Sequence, residues 1–87
     1  MDEMIEVRVK FLAALADAAG VSETRLRVRK GVKVGDLISE IESKFPGVVK
    51  AKRRFSIAVL VNGVARNSSF EIEDDAEVAL IPPASGG

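Results

Sequence analysis

Few residues of this 87-residue chain can do chemistry. There is no Cys, so disulfides, thiolate metal sites and thiol nucleophiles are excluded. There is no His, which removes the commonest general base and the commonest metal ligand. Tyr and Trp are missing as well, and Phe11, Phe45, Phe55 and Phe70 are the only aromatics. Ser, Lys, Arg, Asp, Glu and the termini remain, so an enzyme with catalytic side chains of its own is not expected. The segment that stands out is the ending Pro82-Pro83-Ala84-Ser85-Gly86-Gly87. Two prolines stiffen an extended exit, and six residues at about 3.3 Å each reach roughly 20 Å from the body of the domain. Glycines at the tip let the backbone enter a slot too narrow for a side chain. A stiff arm with a thin tip is suited to insertion into another protein.

The elements that must hold this arm follow from periodicity. Residues 5–11 alternate apolar and charged, the pattern of a half-buried strand with Ile5, Val7, Val9 and Phe11 inward. Residues 12–19 are alanine-rich and helical, with Gly20 placed as the C-terminal cap. Residues 24–29 alternate again, with Leu26 and Val28 inward. Val34, Leu37, Ile38, Ile41 and Phe45 trace one face of a three-turn helix, which Pro46-Gly47 ends. The basic stretch 48–54 reads as a loop. Residues 57–61 form a continuous apolar run, expected to be a central strand neighboured by 5–11 and 76–81. Asn62-Gly63 signals a hairpin returning through Val64-Ala65, and 76–81 is the last strand. These elements predict one α+β roll, a mixed sheet with one main helix packed across it, over residues 1–81, followed by a flexible tail at 82–87.

Thirteen basic residues balance thirteen acidic ones, so no bulk field favours nucleic acid or an anionic membrane. The start, MDEMIE, is too acidic for a secretory signal, and no apolar run approaches membrane-spanning length; the expected location is the cytoplasm.

The chain resembles the MoaD/ThiS family of ubiquitin-like β-grasp sulfur carriers along its whole length. The resemblance rests on 7–20 (VRVKFLAALADAAG), 31–37 (GVKVGDL), Val61-Asn62-Gly63, and 77–83 (EVALIPP) followed by Ser85-Gly86-Gly87. The Pro-Pro-x-Ser-Gly-Gly ending is more similar to the molybdopterin synthase small subunit than to the thiamine carrier, and archaeal small modifier proteins share it. Lys33 stands where the family often has a helix-capping Thr, and Asp75-Ala76 replaces a usual Gly-Asp.

The resemblance implies chemistry at Gly87, approached by Gly86. An α-carboxyl with a pKa near 3.5 is ionised at neutral pH and is a poor electrophile. An E1-like partner using ATP would convert it to an acyl-adenylate, and attack by a persulfide sulfur would leave a thiocarboxylate. The chain itself would bind no cofactor and no metal. A molybdopterin synthase large subunit is the implied sulfur acceptor. Attack by a lysine of another protein would instead give an isopeptide bond, and tRNA thiolation or thiamine synthesis are further sulfur destinations. The tail does not choose among them.

Strand parity predicts a docking face beside the tail. With Val59, Val61, Val78 and Leu80 inward, Ala58, Leu60, Ala79 and Ile81 face outward, and Leu12 can join them. These residues, with Pro82, Pro83, Ala84 and Ser85, are the expected partner-binding set, since the chain shows no third helix to cover them. Arg25, Arg27 and Arg29 form a stripe, read first as the charged protection of an edge strand and second as a surface for an acidic or phosphate-bearing partner. Glu71, Glu73, Asp74, Asp75 and Glu77 lack the spacing of a calcium loop and read as a solvated turn or a surface for a basic partner.

Overall fold

A computed structural model describes residues 3–83. The alternating segment near the start is β1 (Met4–Phe11), and β2 (Glu23–Arg29) pairs with it antiparallel. Between them lies the short helix α1 (Ala14–Ala19), stopped by Gly20 in the left-handed conformation at φ 84°. The longest helix, α2 (Val34–Lys44), buries Val34, Leu37 and Ile41. No side chain caps its N-terminus from Lys33, in keeping with the absent Thr. Instead the chain around residue 70 supplies the missing acceptors: Val34 N–H donates to the Phe70 carbonyl and Gly35 N–H to the Ser68 carbonyl, both at 2.9 Å.

The next segment corrects the sequence reading. Residues 46–54 are not a loop but a helix, α3 (Pro46–Arg54), with Val48 and Ala51 buried. Pro46 does end α2, yet the same proline opens α3 from its first turn, where a missing N–H loses nothing. Then come β3 (Ala58–Val61), the two-residue β4 (Val64–Ala65) and β5 (Glu77–Ile81). Asn62 and Gly63 turn the β3–β4 hairpin with φ of 49° and 82°.

The five strands form one mixed sheet in the order β2-β1-β5-β3-β4. The central strand is therefore β5, parallel to β1 and antiparallel to β3, rather than the 57–61 run. Only one of the two expected neighbours of β3 is correct: β5 separates it from β1. β5 earns the middle because it holds two almost fully enclosed residues, Val78 and Leu80, whereas β3 encloses only Val61.

The inward side chains of β1, β2 and β5 meet Leu15 of α1, Leu37 and Ile41 of α2, and Val48 and Ala51 of α3 in a single core. Phe11 and Phe45 meet edge to face at 5.2 Å. The chain thus does have a third helix, but it packs on the side already covered by α2, and the other face of the sheet stays open.

Asp75, standing where a Gly is usual, adopts φ 63°. Asp tolerates this region better than most residues, and the turn is tied down. Asp75 N–H donates to the Glu6 carbonyl at 2.7 Å, and the Asp74 carboxylate accepts from Glu6 N–H at 2.9 Å. The acidic turn is thereby stitched to β1, and among the described residues no acidic cluster is arranged to hold a metal ion. Nor is any described helix long and apolar enough to cross a membrane.

Candidate functional site

On the open face, strand parity falls as the sequence predicts. Val78, Leu80 and Val61 are buried, while Val59, the fourth residue expected inward, is only half-buried; of those expected outward, Ala79, Ile81 and Leu60 are half-buried and Ala58 is exposed. The antiparallel register sets Ala58 opposite Ile81 and Leu60 opposite Ala79, so the four lie in two adjacent cross-strand rows. The end of β1 completes the patch: Leu12 N–H donates to the Leu80 carbonyl at 3.1 Å, which brings the exposed Leu12 beside Ile81.

The patch runs into a groove of about 520 Å³ at the root of the tail, lined by Leu12, Ala14, Phe55, Ile81, Pro82 and Pro83. Pro82 is half-buried and Pro83 exposed as the chain leaves this groove. Seven of the expected partner-binding residues, Leu12, Ala58, Leu60, Ala79, Ile81, Pro82 and Pro83, are thus brought onto one continuous surface. Ala84, Ser85, Gly86 and Gly87 lie outside the described residues.

Two contributors escaped the sequence reading. Phe55 was hidden by taking 48–54 as a loop, although Val48, Ala51 and Phe55 are spaced 3 and 4 apart, the signature of one helix face. Ala13, between β1 and α1, takes φ 49° and ψ −128°, a conformation open chiefly to Gly. No sequence signal marks it, and it concentrates backbone strain at the groove.

The border between apolar and charged halves of the face is an ion pair. Lys10, opposite Ala79 in the β1–β5 register, places Nζ 2.6 Å from Oε1 of Glu77. That hydrogen bond, reinforced by the opposite charge, raises Lys10 above the ordinary lysine pKa and holds Glu77 below the ordinary carboxylate value. Beyond it Arg25 bonds Glu6 at 3.2 Å, and Arg8 reaches the Asp75 carbonyl at 3.3 Å. β2, which carries the arginine stripe, is an edge strand, consistent with the protective reading.

A mixed five-stranded sheet clasping its helices on one face, with the C-terminus leaving the central strand, defines a ubiquitin-like β-grasp protein. The ubiquitin of Caldiarchaeum subterraneum shares this fold, with a TM-score of 0.59 at 16% identity over 98% of this chain and 100% of that one. Within that class the chain belongs to the ThiS family, which its residues 9–87 match. It is 30% identical over 88 residues to the human molybdopterin synthase sulfur carrier subunit, covering 100% of both chains. SAMP1 from Haloferax volcanii matches with a TM-score of 0.83 and 31% identity over 94% of this chain and 99% of that one.

Proposed function

We propose that the chain is the sulfur-carrying small subunit of a molybdopterin synthase, loaded and discharged at the Gly87 carboxylate. The observation that carries this reading is the apolar open face running without a break into the tail root, in a chain of the ThiS family that holds no other group able to carry sulfur. An E1-like adenylating enzyme binds this face and draws the tail into its site. The Gly87 carboxylate attacks the α-phosphorus of ATP and pyrophosphate leaves, giving the acyl-adenylate. A partner persulfide displaces AMP, and a partner thiol then cleaves the acyl persulfide, leaving the thiocarboxylate on Gly87 and a disulfide on the partner. The large synthase subunit uses the same face and accepts the sulfur. Catalysis belongs to the partners; this chain supplies a stiff, narrow arm with uncharged side chains and the patch that aims it. Residues 1–81 act as the docking body and 82–87 as the arm.

The similarity to SAMP1 favours a second reading, since a protein of that name is described as a small archaeal modifier protein. Here a lysine amine displaces AMP and an isopeptide bond joins Gly87 to another protein.

Intact mass spectrometry of protein purified from its own organism separates the two. A mass gain equal to one oxygen-to-sulfur exchange, mapped to Gly87, is expected for carriage; branched peptides on lysines of other proteins, without that gain, would move the assignment to modification. The face is tested separately. Ile81→Asp or Leu60→Asp is expected to weaken binding of the large subunit at least about tenfold, because a charge is forced into a desolvated contact. Folding should persist, since neither side chain is enclosed. Unchanged affinity in a titration calorimeter would remove the face from the reading.

A further inference from the structure

The free edge of the sheet offers a second, unrelated binding surface. In the β1–β2 ladder, Phe11 N–H donates to the Ser22 carbonyl and Lys30 N–H to the Glu3 carbonyl, each at 2.9 Å. With the register Val7↔Leu26, this alternation aims the backbone groups of Thr24, Leu26 and Val28 at β1 and those of Arg25 and Arg27 at the open edge. Neither Arg25 nor Arg27 has a backbone partner across that edge among the described residues. Beside it lies a groove of about 490 Å³ between β2 and α2, floored by Val28 and Val32, with Asp36 and Glu40 on its helix side and Arg27, Arg29 and Lys30 along its strand rim.

We propose that this edge receives an extended segment of a partner protein in which acidic and aliphatic residues alternate, added as a sixth strand alongside β2. The main chain of the segment bonds to the amides and carbonyls of Arg25 and Arg27. Alternation then divides its side chains. Those on the open face meet Arg25 and Arg27, and so are acidic. Those on the inner side enter the groove toward Val28 and Val32, and so are aliphatic. Charge complementarity thereby favours one register, because a slip by one residue would turn the carboxylates away from Arg25 and Arg27 and the aliphatic side chains away from Val28 and Val32. Charge also decides against a second copy of this chain as the occupant, since antiparallel pairing of two β2 strands sets arginine against arginine. The surface is separate from the tail root, so the proposal stands apart from sulfur carriage.

The test uses the full-length chain, labelled with ¹⁵N, and an acetylated, amidated heptapeptide probe of sequence DVEVDVE. Saturation with the probe is expected to slow hydrogen exchange of the Arg25 and Arg27 amides by about tenfold or more, leaving Leu26 and Val28, already bonded to β1, unchanged. A probe with lysines replacing the acids should not bind. The double variant Arg25→Glu/Arg27→Glu should weaken binding at least about fivefold. Arg27→Pro, which removes one edge donor without touching the β1 ladder, should weaken it as well. A chain lacking Gly87 should bind as the parent does. The proposal is overturned by any of three results: no amide shifts at millimolar probe, shifts confined to Leu60, Ala79 and Ile81, or β2 protection that grows with protein concentration without the probe.

Discussion

Deleting Gly87 is expected to abolish sulfur loading while leaving the unfolding midpoint where it was. Stability should not move, because every buried side chain among the described residues lies between Ile5 and Leu80. Function should fall steeply for a geometric reason. The shortened chain still ends in a glycine carboxylate, now Gly86, with the same chemistry. What changes is reach: one residue of extended chain is about 3.5 Å. Displacing a reacting group by about 1 Å can already cost on the order of a hundredfold in rate. A retreat of a full residue, with Pro82 and Pro83 limiting compensation at the root, should therefore lower adenylation at least about a hundredfold. Pyrophosphate release with the activating enzyme measures it directly. Complementation of a molybdenum-cofactor-deficient strain by the shortened chain at normal levels would defeat the carrier assignment.

Replacing Gly47 with Ala should have the largest effect on folding of any single methyl added to this protein. A Cβ at position 47 would stand 1.8 Å from the carbonyl oxygen of Ala18 and 2.8 Å from its carbonyl carbon. Those are backbone atoms, so no side chain can swing aside, and α3 must lift away from α1. Overpacking of this kind costs about 3 kcal/mol, which for a domain of this size lowers the midpoint by roughly 12–24 °C. Gly35→Ala is the control: its Cβ would meet the Ser68 Cβ and carbonyl oxygen at 3.3 Å, a contact that a shift of a few tenths of an ångström relieves. Thermal and urea unfolding of both variants make the comparison. A Gly47→Ala midpoint no lower than that of Gly35→Ala would show that the α1–α3 contact is looser than described. Because Ala14 of α1 and Phe55, the residue that follows the end of α3, line the groove at the tail root, partner affinity should fall with the stability of this contact.

Much of this protein is legible from local pattern. The period-2 alternation of β1 and β2 and the helical spacing of α2 need only a few neighbouring residues to read. Outward parity of Leu60, Ala79 and Ile81 follows from the same rule, since a strand that buries Val78 and Leu80 must turn Ala79 away. Residues 48–54 read as a loop because proline both stops and starts helices, and only Val48, Ala51 and Phe55 distinguish the two. The need for glycine at 47 is set by Ala18, 29 residues earlier, and no local pattern reports such an approach. The same holds for the centre of the sheet. Residues 57–61 are more continuously apolar than 77–81, yet β5 takes the middle because β1, some 70 residues away, pairs with its other edge. The apolar excess of β3 reflects its open side, not a deeper position.

The placement of β5 has a mechanical corollary. Its C-terminal end leads directly into the arm, and it is hydrogen-bonded on both sides, to β1 in parallel and to β3 in antiparallel register. Tension applied to the arm while the body is held acts along the strand axis, so the bonds to both neighbours are loaded together in shear and cannot peel apart one at a time. Under the proposed function, in which the end is gripped, seated and withdrawn at each turnover, the protein can therefore be tugged repeatedly without unravelling from the place where it is pulled.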